Sequence, residues 1–300
     1  MKVLSKKIKH FTILILLIFT FACSSDDDST VNNDIEVIDT NEKYEKKNIA
    51  YGEHSRQKFD LYLPTNRTIE TTKTLILVHG GTWLGGDKAD MNPFIEEIQQ
   101  TLPNYALASI NYRYLSQAEF SFDNMTADID SVIQYLIENN EKYQITSNFG
   151  LLGVSAGGHL SMLYGFNSTY NDKIHVIASV VGPTNFMDPN YLDNEGSVIQ
   201  NLYSLIELAT GNTPENNPDY FKNSSPIHVV DNTAPPTILF YGDNDELVPT
   251  SQSIDLKVKL EELNILHEHY IYEGQDHSNW NDENLMDVYG KLTTFIQANL

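Results

Sequence analysis

The sequence predicts an α/β fold built on a mainly parallel central sheet with helices on both faces. Two observations carry that expectation. Short apolar runs alternate along the chain with longer amphipathic segments, and the runs are almost continuously apolar, as strands buried on both faces are. Strands are expected over Leu75–His79, Ala106–Tyr112, Phe149–Ser155, Val176–Val181, Thr237–Tyr241 and His269–Tyr272. Between them, Met125, Ile129, Val132, Ile133, Leu136 and Ile137 recur at three- and four-residue spacing, which predicts a helix with one buried face. Further helices are expected over about Ser251–Leu263 and Glu283–Leu300. A sheet of this kind places its ligand site at the carboxyl ends of the strands.

The amino end has a different character. Met1 to Ala22 carries four lysines and no acidic residue, and ends in the twelve-residue stretch Phe11–Ala22, which only two threonines interrupt. A membrane span needs about 20 apolar residues, so this length predicts a secretory signal over 1–22. Cys23, the only cysteine, follows immediately, which excludes a disulfide within one chain. Thr20-Phe21-Ala22-Cys23 resembles a bacterial lipoprotein box, in which the cysteine becomes the lipidated first residue. The resemblance implies export and a lipid anchor in the outer membrane, and the acidic run after Cys23 is similar to the tags of cell-surface lipoproteins. From 23 to 47 the residues are mostly Asp, Asn, Ser, Thr, Glu and Lys, with too little apolar surface to offset the entropy of ordering them, so a flexible acidic tether is expected. The folded domain is then expected over 48–300.

The formal net charge is −22, and it grows more negative when the four leader lysines are removed. Nothing resembles the clustered Lys and Arg that bind phosphate, so nucleic acid is excluded as a partner. At 41% hydrophobic and 20% charged residues the composition is globular.

Three motifs fall at strand ends. Gly153-Val154-Ser155-Ala156-Gly157 matches G-x-S-x-G between an expected strand and an expected helix. A serine on so sharp a turn needs small residues two positions away on each side, and the helix that follows directs N–H groups at the site. His79-Gly80-Gly81-Thr82-Trp83 follows the apolar run Leu75–Val78, and adjacent glycines leave backbone N–H groups able to approach a developing oxyanion. A serine hydroxyl needs a histidine to take its proton and a carboxylate to orient that histidine, in the order serine, acid, histidine. Of nine histidines, His277 follows the last expected strand. Asp245 is the preferred acid in the loop after Tyr241, with Asp243 and Glu246 open on spacing alone. His159, beside the serine, is expected to pack. His267 and His269 alternate on a strand without a third ligand at suitable spacing, so neither a metal nor any other cofactor is expected.

With these residues in place, the chain from about Tyr51 onward resembles the α/β-hydrolase family that includes bacterial feruloyl and acetylxylan esterases, hormone-sensitive-lipase-like esterases and kynurenine formamidases. Asp60-Leu61-Tyr62-Leu63-Pro64 looks like its early strand, and His79–Trp83 with Gly86-Asp87-Lys88 looks like its H-G-G-x-W segment. Asn111-Tyr112-Arg113-Tyr114, Ser224-Ser225-Pro226-Ile227 and Pro235-Pro236-Thr237 stand in the family's order. The family's aspartate is four residues before a Val-Pro proline, which points at Asp245. The resemblance implies an oxyanion hole of the Gly80, Gly81 and Ala156 amides, although Thr82 replaces the third glycine of the lipase-like form.

The expected activity is carboxylic ester hydrolysis through an acyl-enzyme on Ser155, with His277 as base and Asp245 behind it. An exported location together with the family resemblance favours acetyl or feruloyl esters of extracellular polysaccharide. A serine peptidase of the same fold and a non-catalytic binding protein on this scaffold are the rival classes. The segment 182–232, with its apolar residues concentrated in the first half, is expected to be a small lid-like insertion or plain helix packing.

Overall fold

The computed structural model describes residues 37–115, 121–167, 171–192 and 198–300. The expected secretory signal, Cys23 and the start of the expected tether lie outside the described residues. The strands are β1 (Tyr44–Ala50), β2 (Lys58–Leu63), β3 (Thr74–Val78), β4 (Ala106–Asn111), β5 (Phe149–Val154), β6 (Ile174–Val180), β7 (Thr237–Gly242) and β8 (His267–Tyr272). They form one sheet in the order β1-β2-β4-β3-β5-β6-β7-β8, with β2 antiparallel to both its neighbours and β3 to β8 parallel. The α-helices are α1 (Asn92–Thr101), α2 (Phe122–Glu138), α3 (Asn140–Tyr143), α4 (Ala156–Phe166), α5 (Pro189–Leu192), α6 (Val198–Thr210), α7 (Pro218–Asn223), α8 (Pro226–Val229), α9 (Thr250–Glu262) and α10 (Asp282–Asn299).

The side-chain alternation of a strand divides the core in two. Ile76, Val78, Ala108, Ile110, Leu151, Ile177 and Leu239 face one layer, closed by Met125, Ile129 and Val132 of α2, Leu160 of α4, and Leu256 and Leu260 of α9. Leu75, Leu77, Leu107, Leu152, Val176, Ala178, Ile238 and Phe240 face the other, closed by Ile95 and Ile98 of α1 and by Val288, Leu292 and Phe295 of α10. All five residues of β3 and all six of β4 are buried, which is why these strands read as mostly apolar runs, with Thr74, Ser109 and Asn111 buried among them. Helix α2 starts with Ser121 and Asn124 in a reciprocal capping box. It also buries Asp128, whose carboxylate accepts from the Arg113 backbone N–H at 2.7 Å and from Gln57 Nε2 at 2.8 Å.

Because β3 lies between β4 and β5, the chain winds away from β3 in one direction through α1 and in the other through α2. The carboxyl ends of β3 and β5 therefore flank the point where the winding reverses, the place where open α/β sheets hold ligands.

The domain begins earlier than composition suggests. Strand β1 crosses the boundary expected between tether and domain at 47, and only Ile49 in it is buried. An edge strand with Lys and Glu pointing outward offers neither an apolar run nor a clean alternation, so it resembles a solvated linker. Arg67, only 2% exposed, secures this region. Its guanidinium donates to the carbonyls of Tyr143, Glu42, Pro64 and Ile38 at 2.9–3.0 Å and of Asp39 at 2.6 Å. A charge so deeply buried is satisfied only by this complete set of acceptors. Arg67→Met is expected to lower the unfolding free energy by about 3 kcal/mol, because several carbonyls lose a charged donor. Urea denaturation measures that loss, and limited proteolysis of the folded variant is expected to cut between 37 and 50, where the wild type resists.

Candidate active site

Ser155 occupies a single-residue turn between β5 and α4, with φ 53° and ψ −120°. A non-glycine residue in such a region costs about 1–3 kcal/mol, which the surroundings must impose. They do so by close backbone packing. A Cβ on Gly153 would lie 2.1 Å from the Gly157 carbonyl oxygen, and one on Gly157 would lie 2.0 Å from the Val78 carbonyl oxygen. The two glycines of G-x-S-x-G thus allow β5, α4 and the end of β3 to meet. The Ser155 N–H donates to the Val180 carbonyl at 2.8 Å.

The segment after β3 turns sharply over this serine. Thr82 and Trp83 both have positive φ, 52° and 61°, and the Gly81 carbonyl accepts from Leu84 and Gly85 N–H at 3.0 and 2.9 Å. Trp83 is 1% exposed and fastens the turn to the core. Its Nε1–H donates to His159 Nδ1 at 3.1 Å, and the other ring nitrogen of His159 donates to the Ser224 carbonyl at 2.7 Å. Burial holds His159 down at about 4, so it is neutral and structural. The far end of the segment is held by Asp87, which accepts from Asn111 Nδ2 at 2.8 Å, and by the ion pair of buried Lys88 with Asp60 at 3.2 Å. A Cβ on Gly80 would lie 3.3 Å from Ser155 Cβ, so this backbone borders the serine directly. Ala156 begins α4, and its N–H is one of those without an intrahelical partner.

His277 and Asp245 meet the serine from the other side. His277 Nε2 is 2.8 Å from Ser155 Oγ, and His277 Nδ1 is 2.7 Å from Asp245 Oδ2. The carboxylate accepts a hydrogen bond from Nδ1–H, which leaves the Nε2 lone pair facing the hydroxyl. Asp245 is buried, and its other oxygen accepts the N–H groups of Leu247 and Val248, both at 2.8 Å. Asp243 and Glu246, the alternatives left by spacing, are exposed. Asp243 instead accepts the Gly274 N–H at 2.6 Å and ties the two loops together. Asp276 accepts the N–H groups of Ser278 and Asn279 at 2.8 and 2.6 Å, and these bonds, that to Asn279 first, lower its pKa.

Sequence reasoning missed Gln275 and Gly242. A Cβ on Gly242 would lie 2.1 Å from the Gln275 carbonyl oxygen, which also accepts the Asn244 N–H at 3.0 Å. The histidine loop lies across the end of β7 on that glycine, which is what brings His277 to Asp245. A glycine closing an apolar strand run was the available signal.

Ser155 and His277 open into a cavity of about 450 Å³ walled by Phe94, Val154, Val180, Val181, Leu247, Trp280 and Leu285. Trp280 is held by its Nε1–H to the Asp276 carbonyl at 2.8 Å and packs on Tyr272. Among the described residues, none from 182–232 lines this cavity. That segment is bound to the body through Gln252, whose side chain accepts from the N–H groups of Thr184 and Asn185 at 2.9 and 2.8 Å and donates to Asp188 at 2.8 Å. Also among the described residues, no group of three or more His, Cys, Asp or Glu side chains could hold a metal ion.

Comparison with known proteins agrees with this architecture. The chain is similar to the esterase LipC of Mycobacterium tuberculosis, 24% identical over 218 residues, which are 69% of this chain and 53% of the relative. It spans about half the length of the curated relatives it matches. Two solved structures share the fold. One is a truncated form of a carbohydrate esterase from gut microbiota, at 23% identity and TM-score 0.66, covering 85% of this chain and 98% of that one. The other is a bifunctional GH43-CE from Bacteroides eggerthii, at 22% identity and TM-score 0.69, covering 86% of this chain and 38% of that one. The BD-FAE family model matches residues 59–260, from β2 through α9 and including both the glycine turn and the serine elbow, so the chain belongs to the BD-FAE family of α/β-hydrolases.

Proposed function

We propose that the protein is a serine-dependent carboxylic ester hydrolase that works through an acyl-enzyme on acetyl or feruloyl esters of extracellular polysaccharide. One observation carries the reading: the continuous chain from buried Asp245 through His277 to Ser155 Oγ, with links of 2.7 and 2.8 Å, at the floor of an open apolar cavity. In the first step His277 Nε2 takes the hydroxyl proton as Oγ bonds to the ester carbonyl carbon. The oxyanion rests on the amides of Gly80, Gly81 and Ala156, each donor worth about 2.7–4 kcal/mol in the transition state. His277 then gives its proton to the leaving alcohol, and a water repeats the sequence to release the acid. Asp245 holds the imidazole in its Nδ1–H tautomer and stabilises its cation.

The polysaccharide part of the proposal is supported by the carbohydrate esterase among the structural neighbours and by the lysine-rich, then apolar stretch at 1–22, which we read as an export signal. An export signal over 1–22 followed by Cys23 suits a protein exported, lipidated at that cysteine and held in the outer membrane, with the acidic residues after it as the tether to the domain.

Three outcomes are expected. The fragment from Val37 onward, which keeps the Ile38 and Asp39 carbonyls that Arg67 requires, turns over p-nitrophenyl acetate at pH 7 to 8, and Ser155→Ala lowers kcat at least about 10⁴-fold; equal rates in the two proteins sink the hydrolase reading. Asp245→Asn leaves the fold intact but turns the imidazole to the unproductive tautomer, and steady-state kinetics are expected to show kcat falling about 10³- to 10⁴-fold. In cells, metabolic labelling with a clickable palmitate tags the full chain and not Cys23→Ala, and the variant leaves the membrane pellet; an unlabelled wild type removes the anchor from the proposal.

A further inference from the structure

We infer that Arg56 is a positioning residue for the oxyanion-binding backbone, fixing the tautomer of His79 so that His79 in turn aims the N–H of Gly81. Arg56 lies outside every recognisable motif, in the turn between β1 and β2. Its Nε donates to the Tyr112 carbonyl at 2.8 Å, and its Nη2 donates to the Gly86 carbonyl and contacts His79 Nε2, both at 3.2 Å. The guanidinium lies 3.6 Å over the Tyr114 ring, whose hydroxyl also donates to the Gly86 carbonyl. Arg56 thus binds both ends of the 79–86 turn.

A guanidinium has donors and no acceptor, so His79 Nε2 must present its lone pair. The single proton of the neutral ring is then on Nδ1, which sits 2.6 Å from the Gly80 carbonyl oxygen and donates to it. Burial holds His79 down at about 4, the Gly80 contact opposes this, and Arg56 adds to the lowering against the pull of Asp90 and Asp87. Across a trans peptide the C=O of one residue and the N–H of the next point in opposite directions, and the described chain has no cis peptide. Holding the Gly80 carbonyl toward His79 therefore turns the Gly81 N–H the other way, into the cavity that Gly81 shares with Ser155. The ring itself is kept in plane by stacking on Tyr112 at 4.4 Å and 17°, while the Tyr112 hydroxyl donates to the His79 carbonyl at 3.0 Å. Gly86, with φ +93°, permits the approach, since a Cβ there would be 2.3 Å from the Gly80 oxygen.

The kinetic consequence rests on the ester-hydrolase reading, whereas the tautomer does not. Lysine cannot serve acceptors on Tyr112, His79 and Gly86 from one fork, so Arg56→Lys tests geometry with the charge kept, and Arg56→Met tests both. On p-nitrophenyl acetate both variants are expected to lose about 10- to 100-fold in kcat, approaching the loss of one oxyanion donor, with KM within about twofold. By ¹⁵N NMR of the imidazoles, His79 is expected to be Nδ1–H in the wild type and a mixture of tautomers in Arg56→Met. Wild-type kcat in Arg56→Lys, or a tautomer unchanged in Arg56→Met, overturns the inference. If Arg56→Met fails to fold, Arg56→Lys carries both measurements. A wild type without esterase activity refutes the proposed function instead, and the ¹⁵N spectra still decide the role of Arg56.

Discussion

The site depends on one close approach of backbones. At the carboxyl ends of β3 and β5, the Val78 carbonyl oxygen lies where a side chain on Gly157 would begin. That contact forces α4 to start directly behind Ser155 and leaves no room to relax the positive φ of the serine. It also sets the distance between the serine and the turn that begins at His79. A strained nucleophile turn and a strained glycine turn are thus two sides of the same packing contact, and neither conformation would persist without the other. Their place at the reversal of sheet winding follows from strand order alone.

The second half of the site is governed by burial of charge. Asp245 carries its carboxylate into a buried position with only N–H donors around it, two from its own loop and one from His277. Burying an ionised group is costly unless its lone pairs are used, and this set uses them. The consequence is directional: the loop that satisfies one carboxylate oxygen leaves the other to fix the imidazole. The glycine at 242 and the bridge from Asp243 to Gly274 then hold the two loops close enough for that bond to form.

Much of this was legible in the sequence because it is local. The G-x-S-x-G spacing is a direct record of two Cβ exclusions, and the mostly apolar runs of β3, β4 and β5 record burial on both faces. What was not legible depends on contacts between distant segments. Strand β1 has one buried side chain and is held by pairing with β2 and by Arg67, so its composition resembles a tether. The choice of Asp245 over Asp243 and Glu246 turns on which carboxylate the loop folds inward, which spacing cannot show. Arg56 has no motif because its partners are carbonyls and a ring nitrogen brought together from three separate loops. The segment 182–232 has the apolar content of a lid, yet its first residues are tied to α9 by Gln252, a long-range contact with no periodic trace.

The two faces of the sheet divide the work. Trp83, His159 and the α2–α4 layer hold the glycine turn after β3 from one side, with Trp83 and His159 buried in the core. The walls of the cavity come mainly from the opposite layer, from Phe94 on α1, Trp280 in the histidine loop and Leu285 on α10, all of them only partly buried. A change in the first layer disturbs the backbone beside Ser155, whereas a change in the second alters the volume and shape of the cavity. The proposed function thus puts the fit to substrate where packing is loosest, on α1 and at the start of α10, and the chemistry where it is tightest.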